Sequence, residues 1–219
     1  MTTALVTGAN RGIGLEICRQ LAARGNTVIG VCRGANRELG AAGAEVVDGV
    51  DVSSADDVAQ LARSLGGRKI DWLINNAGIL RGDHFDSLDY DSMLEQFQVN
   101  ALGPLRITRA LAGNLQDGAK VGIVSSRVGS VEDNGSGNNY GYRCSKAAVN
   151  MVGKNLSHDL ARRGIAVALL HPGLVATEMT GLRGIEPAQA AAGLIDRMDE
   201  LSMDNTGRFW HAEGYELPW

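Results

Sequence analysis

Tyr142 and Lys146 stand four residues apart in the stretch YGYRCSK, residues 140–146. Four residues is about one helical turn, so in a helix the phenol and the ammonium share a face. Such a pair can pass a proton. A free phenol titrates near about 10, and a cation one turn away makes it a better acid near neutrality. Tyr140 precedes Lys146 by six and falls on nearly the opposite side of the same helix. A lone Y-x-x-x-K is equally what a surface tyrosine and a solvated lysine would give, so the pair has to be weighed with its neighbours.

TGANRGIG, residues 7–14, places Gly8, Gly12 and Gly14 around Asn10, Arg11 and Ile13, between a strand-like and a helix-like run. The glycines permit a sharp turn and close approach of a phosphate. The helix start adds free N–H groups and a positive dipole end. The spacing, G-x-x-x-G-x-G, differs from the general dinucleotide fingerprint. After the second strand-like run comes Arg33, where NAD-binding sheets carry an acid for the ribose hydroxyl. Glu38 follows too late. Arg11 and Arg33 close together would hold a 2′-phosphate well and gain little from a hydroxyl. The expected cofactor is therefore NADPH (NADP+), ahead of NADH; the bland alternative is two solvated arginines. NNAG (75–78) and VSSRVGS (124–130) each end a strand-like run. Taken singly, they are a polar turn and a pair of small hydroxyls. The four histidines share no ligand spacing, so no metal is expected.

The elements that must position these residues alternate in type. Strand-like runs fall at 3–7, 26–32, 44–50, 71–78, 119–126, 165–173 and near 207–210. Helical patterns fall at 14–25 with Gly25 as stop, 54–67 with Ser54 as cap, 89–115 with a bend at Pro104, 140–164, and 186–198 with Pro187 at its start. Alternating β and α units with near-continuous apolar strands predict a parallel sheet covered on both faces. In such sheets ligands bind beyond the carboxyl ends of the strands. Every unusual stretch named above lies at such an end.

Bulk properties narrow the function classes. The chain has 219 residues, 44% hydrophobic and 21% charged, with a net charge of −4. That is ordinary for a globular chain and argues against nucleic acid or an anionic membrane as a partner. No run is long enough to span a bilayer, and no signal peptide opens the sequence. Cys18, Cys32 and Cys144 stand far apart, as reduced cytoplasmic thiols would.

Taken together, the ordered motifs resemble the short-chain dehydrogenase/reductase family, and within it the group of C-factor, sniffer and similar small carbonyl reductases. The family pattern T-G-x-x-x-G-x-G appears as Thr7, Gly8, Gly12 and Gly14; N-N-A-G as Asn75, Asn76, Ala77 and Gly78; Y-x-x-x-K as Tyr142 and Lys146. The P-G turn appears as Pro172 and Gly173, followed by Val175 and Thr177. The resemblance implies one doubly wound α/β domain of Rossmann type over 1–219, with about seven strands and helices on both faces. It implies hydride transfer between the nicotinamide and a carbonyl or alcohol, with Tyr142 as general acid. Lys146 would lower the phenol's pKa and hold the nicotinamide ribose. Ser126 would bind the substrate oxygen, with Ser125 and Ser130 as neighbours to be told apart from it. Asn100 would support a water linked to the lysine, and Asp51 and Val52 would contact the adenine. Relatives pair through the helices corresponding to 89–115 and 140–164, which implies a homo-dimer or tetramer. The segment 174–185 is shorter than the substrate lid of many relatives, so the pocket is open or finished by a partner subunit. The rival class is a nucleotide-binding signalling or scaffold protein with little turnover. A sugar-nucleotide epimerase is disfavoured by the short C-terminal part.

Overall fold

The sheet is built from seven parallel strands, β1 (Thr3–Thr7), β2 (Thr27–Val31), β3 (Glu45–Val47), β4 (Ile70–Asn75), β5 (Leu115–Val124), β6 (Ala166–His171) and β7 (Arg208–His211), in the order β3-β2-β1-β4-β5-β6-β7. The computed structural model describes all of residues 1–219. The strand order reverses between β1 and β4, and that switch opens a crevice at the carboxyl edge of the sheet. Alternate residues of one strand feed opposite cores: Leu5 of β1 enters one cluster, Ala4 and Val6 the other.

Seven helices cover the two faces. α1 (Gly12–Ala23), α2 (Arg37–Ala41) and α7 (Pro187–Glu200) pack on one face, through Ile17, Leu21, Leu39, Leu194 and Met198. α3 (Ala55–Leu65), α4 (Tyr90–Phe97), α5 (Gly103–Ala110) and α6 (Tyr140–Asp159) lie on the other, with Leu61, Ile107, Val149 and Leu156 in its core. Local signals place several ends as expected. The Ser54 hydroxyl accepts from the Asp57 amide at 3.2 Å and starts α3. Gly25, at φ +79°, ends α1 by donating to the Ala22 carbonyl at 2.9 Å.

Three details differ from the sequence reading. The helix expected over 89–115 is two helices joined by a π-helical turn, Gln98–Leu102. Pro104 has no N–H to give the carbonyl four residues back, so the α-helical ladder is interrupted at Asn100. α2 was not foreseen, because RELGA is short and carries a glycine. Asn36 caps it by accepting from the Leu39 amide at 3.0 Å, and Leu39 is fully buried. β5 begins at Leu115 rather than 119: Leu115 pairs with Ile70, the register shifts, and pairing resumes at Trp72 and Lys120.

Candidate active site

The glycine-rich turn and NNAG are one structure. The Thr7 hydroxyl accepts from the amides of Asn76 and Ala77 at 3.0 and 3.1 Å. The Asn76 side-chain amide donates to the carbonyls of Thr7 and Gly8 at 3.0 and 3.2 Å. The ends of β1 and β4 are thereby stitched together. Gly8 (φ +65°) and Gly12 (φ +53°) hold conformations that side chains rarely adopt. Leu15 is the first residue of α1 to bond back, to Arg11 at 3.3 Å. The amides before it in the helix have no intrahelical acceptor and are available to an anion. Gly14 serves packing instead: a Cβ there would lie 2.3 Å from the Gly8 carbonyl oxygen.

A cleft of about 1340 Å³ opens above these strand ends. It is lined by Gly8, Asn10, Arg11, Gly12, Ile13, Arg33, Asp51, Val52, Asn76, Ala77, Gly78, Ser126, Tyr142, Lys146, Pro172, Gly173, Val175 and Thr177. Two residues expected in the site, Gly14 and Asn100, stand behind this wall and shape it. Each of the two arginines, Arg11 and Arg33, has an acid beside it. Arg11 pairs with Glu178 of the segment after Pro172–Gly173, and an Arg33 nitrogen lies 3.8 Å from an Asp51 oxygen.

The pair formed by Tyr142 and Lys146 is deeply placed. The Lys146 ammonium lies 5.7 Å from the centre of the Tyr142 ring and donates to the Val124 carbonyl at 2.8 Å. Burial pushes the Lys146 pKa down to about 8. Burial also pushes the Tyr142 phenol up to about 12, opposed by a hydrogen bond with the Ser126 hydroxyl. The sequence reading expected Lys146 to bring the phenol down; burial, the largest influence on Tyr142, acts in the other direction.

The three serines separate by what they touch. Ser126 lines the cleft with Tyr142, and its hydroxyl accepts from the Val128 amide at 3.4 Å. Ser125 donates to the Asn150 side chain at 2.6 Å. Ser130 donates to the Trp219 carbonyl at 3.0 Å and accepts from the Asp133 amide at 3.1 Å. Tyr140 lies outside the cleft, at the exposed start of α6.

Asn100, in the π-helical turn, grips the chain after β4. Its carbonyl accepts from the Ile79 amide at 2.8 Å, and its amide donates to the Ile79 carbonyl at 2.8 Å and to the Ser145 hydroxyl at 3.0 Å. Ser145 donates in turn to the Tyr142 carbonyl at 2.7 Å. Both donor hydrogens of Asn100 are thus spent on structure.

Sequence reasoning missed Asp83. Its carboxylate accepts from the amides of Tyr140 and Gly141 at 2.5 and 2.9 Å. It caps α6 from 57 residues away, where the local residue, Asn139, gives no side-chain cap. His171 was also passed over. It lines the cleft beside Pro172 with a buried, unpartnered Nδ1, and its ring meets His211 edge-on at 5.0 Å. Burial, with His211, Arg127 and Lys146 nearby, pushes its pKa down to about 3, so it stays neutral.

Residues 2–186 match the family described as short chain dehydrogenase. The chain is 50% identical over 226 residues to 1-hydroxy-2-glutathionyl-2-methyl-3-butene dehydrogenase of Rhodococcus sp. strain AD45, covering 100% of both. It is 42% identical over 158 residues to C-signal of Myxococcus xanthus, covering 68% of this chain and 93% of the relative. The structure superposes with a TM-score of 0.92, at 30% identity, on NADPH-bound carbonyl reductase from chicken fatty liver, covering 100% of this chain and 99% of that one.

Proposed function

The chain belongs to the short-chain dehydrogenase family, and from that premise we propose that it is an NADPH-dependent oxidoreductase acting on a carbonyl or alcohol. The observation that carries this reading is the gathering of Tyr142, Ser126 and Lys146 in one cleft, with the Lys146 ammonium 5.7 Å from the centre of the Tyr142 ring. The site fits a dinucleotide on its own geometry. Two positive-φ glycines and the open amides of α1 face the place a pyrophosphate would take. Arg11 and Arg33 stand at the adenosine end, where a 2′-phosphate would compete with Glu178 and Asp51 for them. The chicken relative holds NADPH, and the Rhodococcus relative is named for an alcohol.

When bound, the nicotinamide supplies or accepts the hydride. The protein's residues do the rest. Tyr142 keeps its proton at neutral pH, because burial holds its pKa high. It can therefore deliver that proton to a carbonyl oxygen as charge develops there. Ser126, which lines the same cleft, offers its hydroxyl to the same oxygen. Lys146 places positive charge beside the phenolate left behind and stabilises it. Pro172, Gly173, Val175 and Thr177 line the cleft where they would close over the nicotinamide, and Asp51 and Val52 line it where they would meet the adenine.

The test of the acid is Tyr142→Phe. Reductase turnover should fall by about 10²- to 10⁴-fold while NADPH still binds. Retained turnover sinks the assignment. For the cofactor, titration followed by nicotinamide fluorescence should show NADPH bound about tenfold tighter than NADH, with Arg33→Asp reversing the order. An unchanged ratio removes Arg33 from the site. A second reading, a nucleotide-binding signalling protein, draws on the likeness to C-signal. It would take over if the chain binds NADPH yet reduces none of a range of aldehydes, ketones and quinones.

We take the chain as one domain over 1–219 that forms a homo-oligomer through α4 and α6. No helix is long and apolar enough to cross a membrane. The three cysteines are unpaired, as in a reducing compartment, and we assign the cytoplasm.

A further inference from the structure

The chain is acidic overall, with a net charge of −4, yet its cleft is cationic. Arg11, Arg33, Arg81, Arg127, Arg143 and Lys146 line it, against only Asp51 and Glu178. Both acids are engaged at the cofactor end, by Arg33 and Arg11. The remaining arginines come from three other elements: Arg81 follows β4, Arg127 lies in the turn after β5, and Arg143 follows Tyr142 on α6. No acid lines the cleft on their side.

Their partners differ. Arg127 pairs with Asp133, and Arg81 has Glu95 at 3.9 Å, both acids lying outside the cleft. Arg143 has no carboxylate partner. Its guanidinium donates to the Val128 carbonyl at 3.3 Å and the Ser136 hydroxyl at 2.8 Å, and its Nε is buried with no partner. Those two bonds fix a rigid planar fork on the residue next to the general acid. A fork held in this way is suited to a carboxylate. Clefts lined by one sign of charge also concentrate ligands of the opposite sign.

We propose that the carbonyl or alcohol substrate is an anion bearing a carboxylate, bound by Arg143 with Arg127 and Arg81 adding the field that draws it in. This rests on the reading of the cleft as an oxidoreductase site and names the substrate class of that site. A neutral carbonyl compound would meet the same Tyr142 and Ser126 but leave Arg143 without its counter-ion.

The test is calorimetric titration of the NADPH complex with S-methylglutathione, a small peptide with two carboxylates, and with its dimethyl ester. The acid should bind at least about tenfold tighter than the ester, and raised salt should narrow the gap. Arg143→Gln should bring the two within about twofold, and Arg143→Lys should retain part of the preference. Arg81→Gln, at an exposed position with a loose ion pair, should weaken the acid about twofold without disturbing the fold. Equal affinities for acid and ester, or no binding of the acid at millimolar concentration, overturns the proposal. Failure of the underlying reading is seen separately: NADPH that binds but is oxidised neither by a neutral aromatic aldehyde nor by its carboxylate-bearing analogue counts against the oxidoreductase, whatever the titration gives.

Discussion

Lys146 shows how the site sets function against stability at a single residue. Its side chain is buried and its pKa pushed down to about 8 from 10.5. Folding therefore disfavours the ammonium. The penalty is complete below about 8 and fades as pH rises from there to 10.5, where the unfolded chain also loses its proton. Its size is of the order of 3 kcal/mol at neutral pH, partly offset by the bond to Val124. Lys146→Met should thus lose turnover and yet melt several degrees higher at pH 7, an advantage that shrinks towards pH 10. A melting temperature equal to or below that of the parent at pH 7 would contradict this account. The four-residue spacing was enough to put Tyr142 and Lys146 side by side, as they stand in the cleft. Distance along the chain could not choose between Ser125, Ser126 and Ser130. That needed the strand pleat and the end of the chain, which send Ser125 to Asn150 and Ser130 to Trp219.

At the scale of elements, α6 is held at its start by a group no local pattern reveals. Asn139 sits at φ 50° and gives no cap, so the first amides of α6 depend on Asp83 from the segment after β4. Asp83→Ala should cost about 1–3 kcal/mol. It should also lower kcat more than it changes NADPH affinity, because Tyr142 and Lys146 ride on the first two turns of that helix. Asp83→Asn, which keeps one acceptor oxygen, should recover part of both losses. Loss of stability with kcat intact would make Asp83 a fold residue alone. The π-helical turn is the other element-level surprise. Pro104 was read as a bend, but the interruption lies ahead of it and brings Asn100 onto Ile79. Apolar periodicity cannot register one added residue in a helix whose two halves are both amphipathic. The sheet was legible, because its strands are short, apolar and spaced by helices.

For the molecule as a whole, one face is left apolar. Tyr90 and Leu94 of α4 and Met151 of α6 are 70%, 62% and 62% exposed. Tyr90 and Leu94 share a hollow between α4 and α6 with Phe97 and Cys144. Clustered apolar surface of this kind marks an interface. Leu94→Asp should convert a dimer into a monomer in sedimentation, with the melting temperature becoming independent of protein concentration. A parent chain that sediments as a monomer removes the pairing proposal.

The stitching of the cleft has a consequence for how the protein is made. The bonds that shape it join residues far apart in sequence: Thr7 to Ala77 across 70 positions, Asp83 to Gly141 across 58, Arg11 to Glu178 across 167. Long loops must close before any of these contacts can form. A nascent or refolding chain can therefore raise its helices early while owning no site at all. Recovery of cofactor binding should trail recovery of helix signal, and the cofactor, once present, would trap only the finished chain and pull the population toward it.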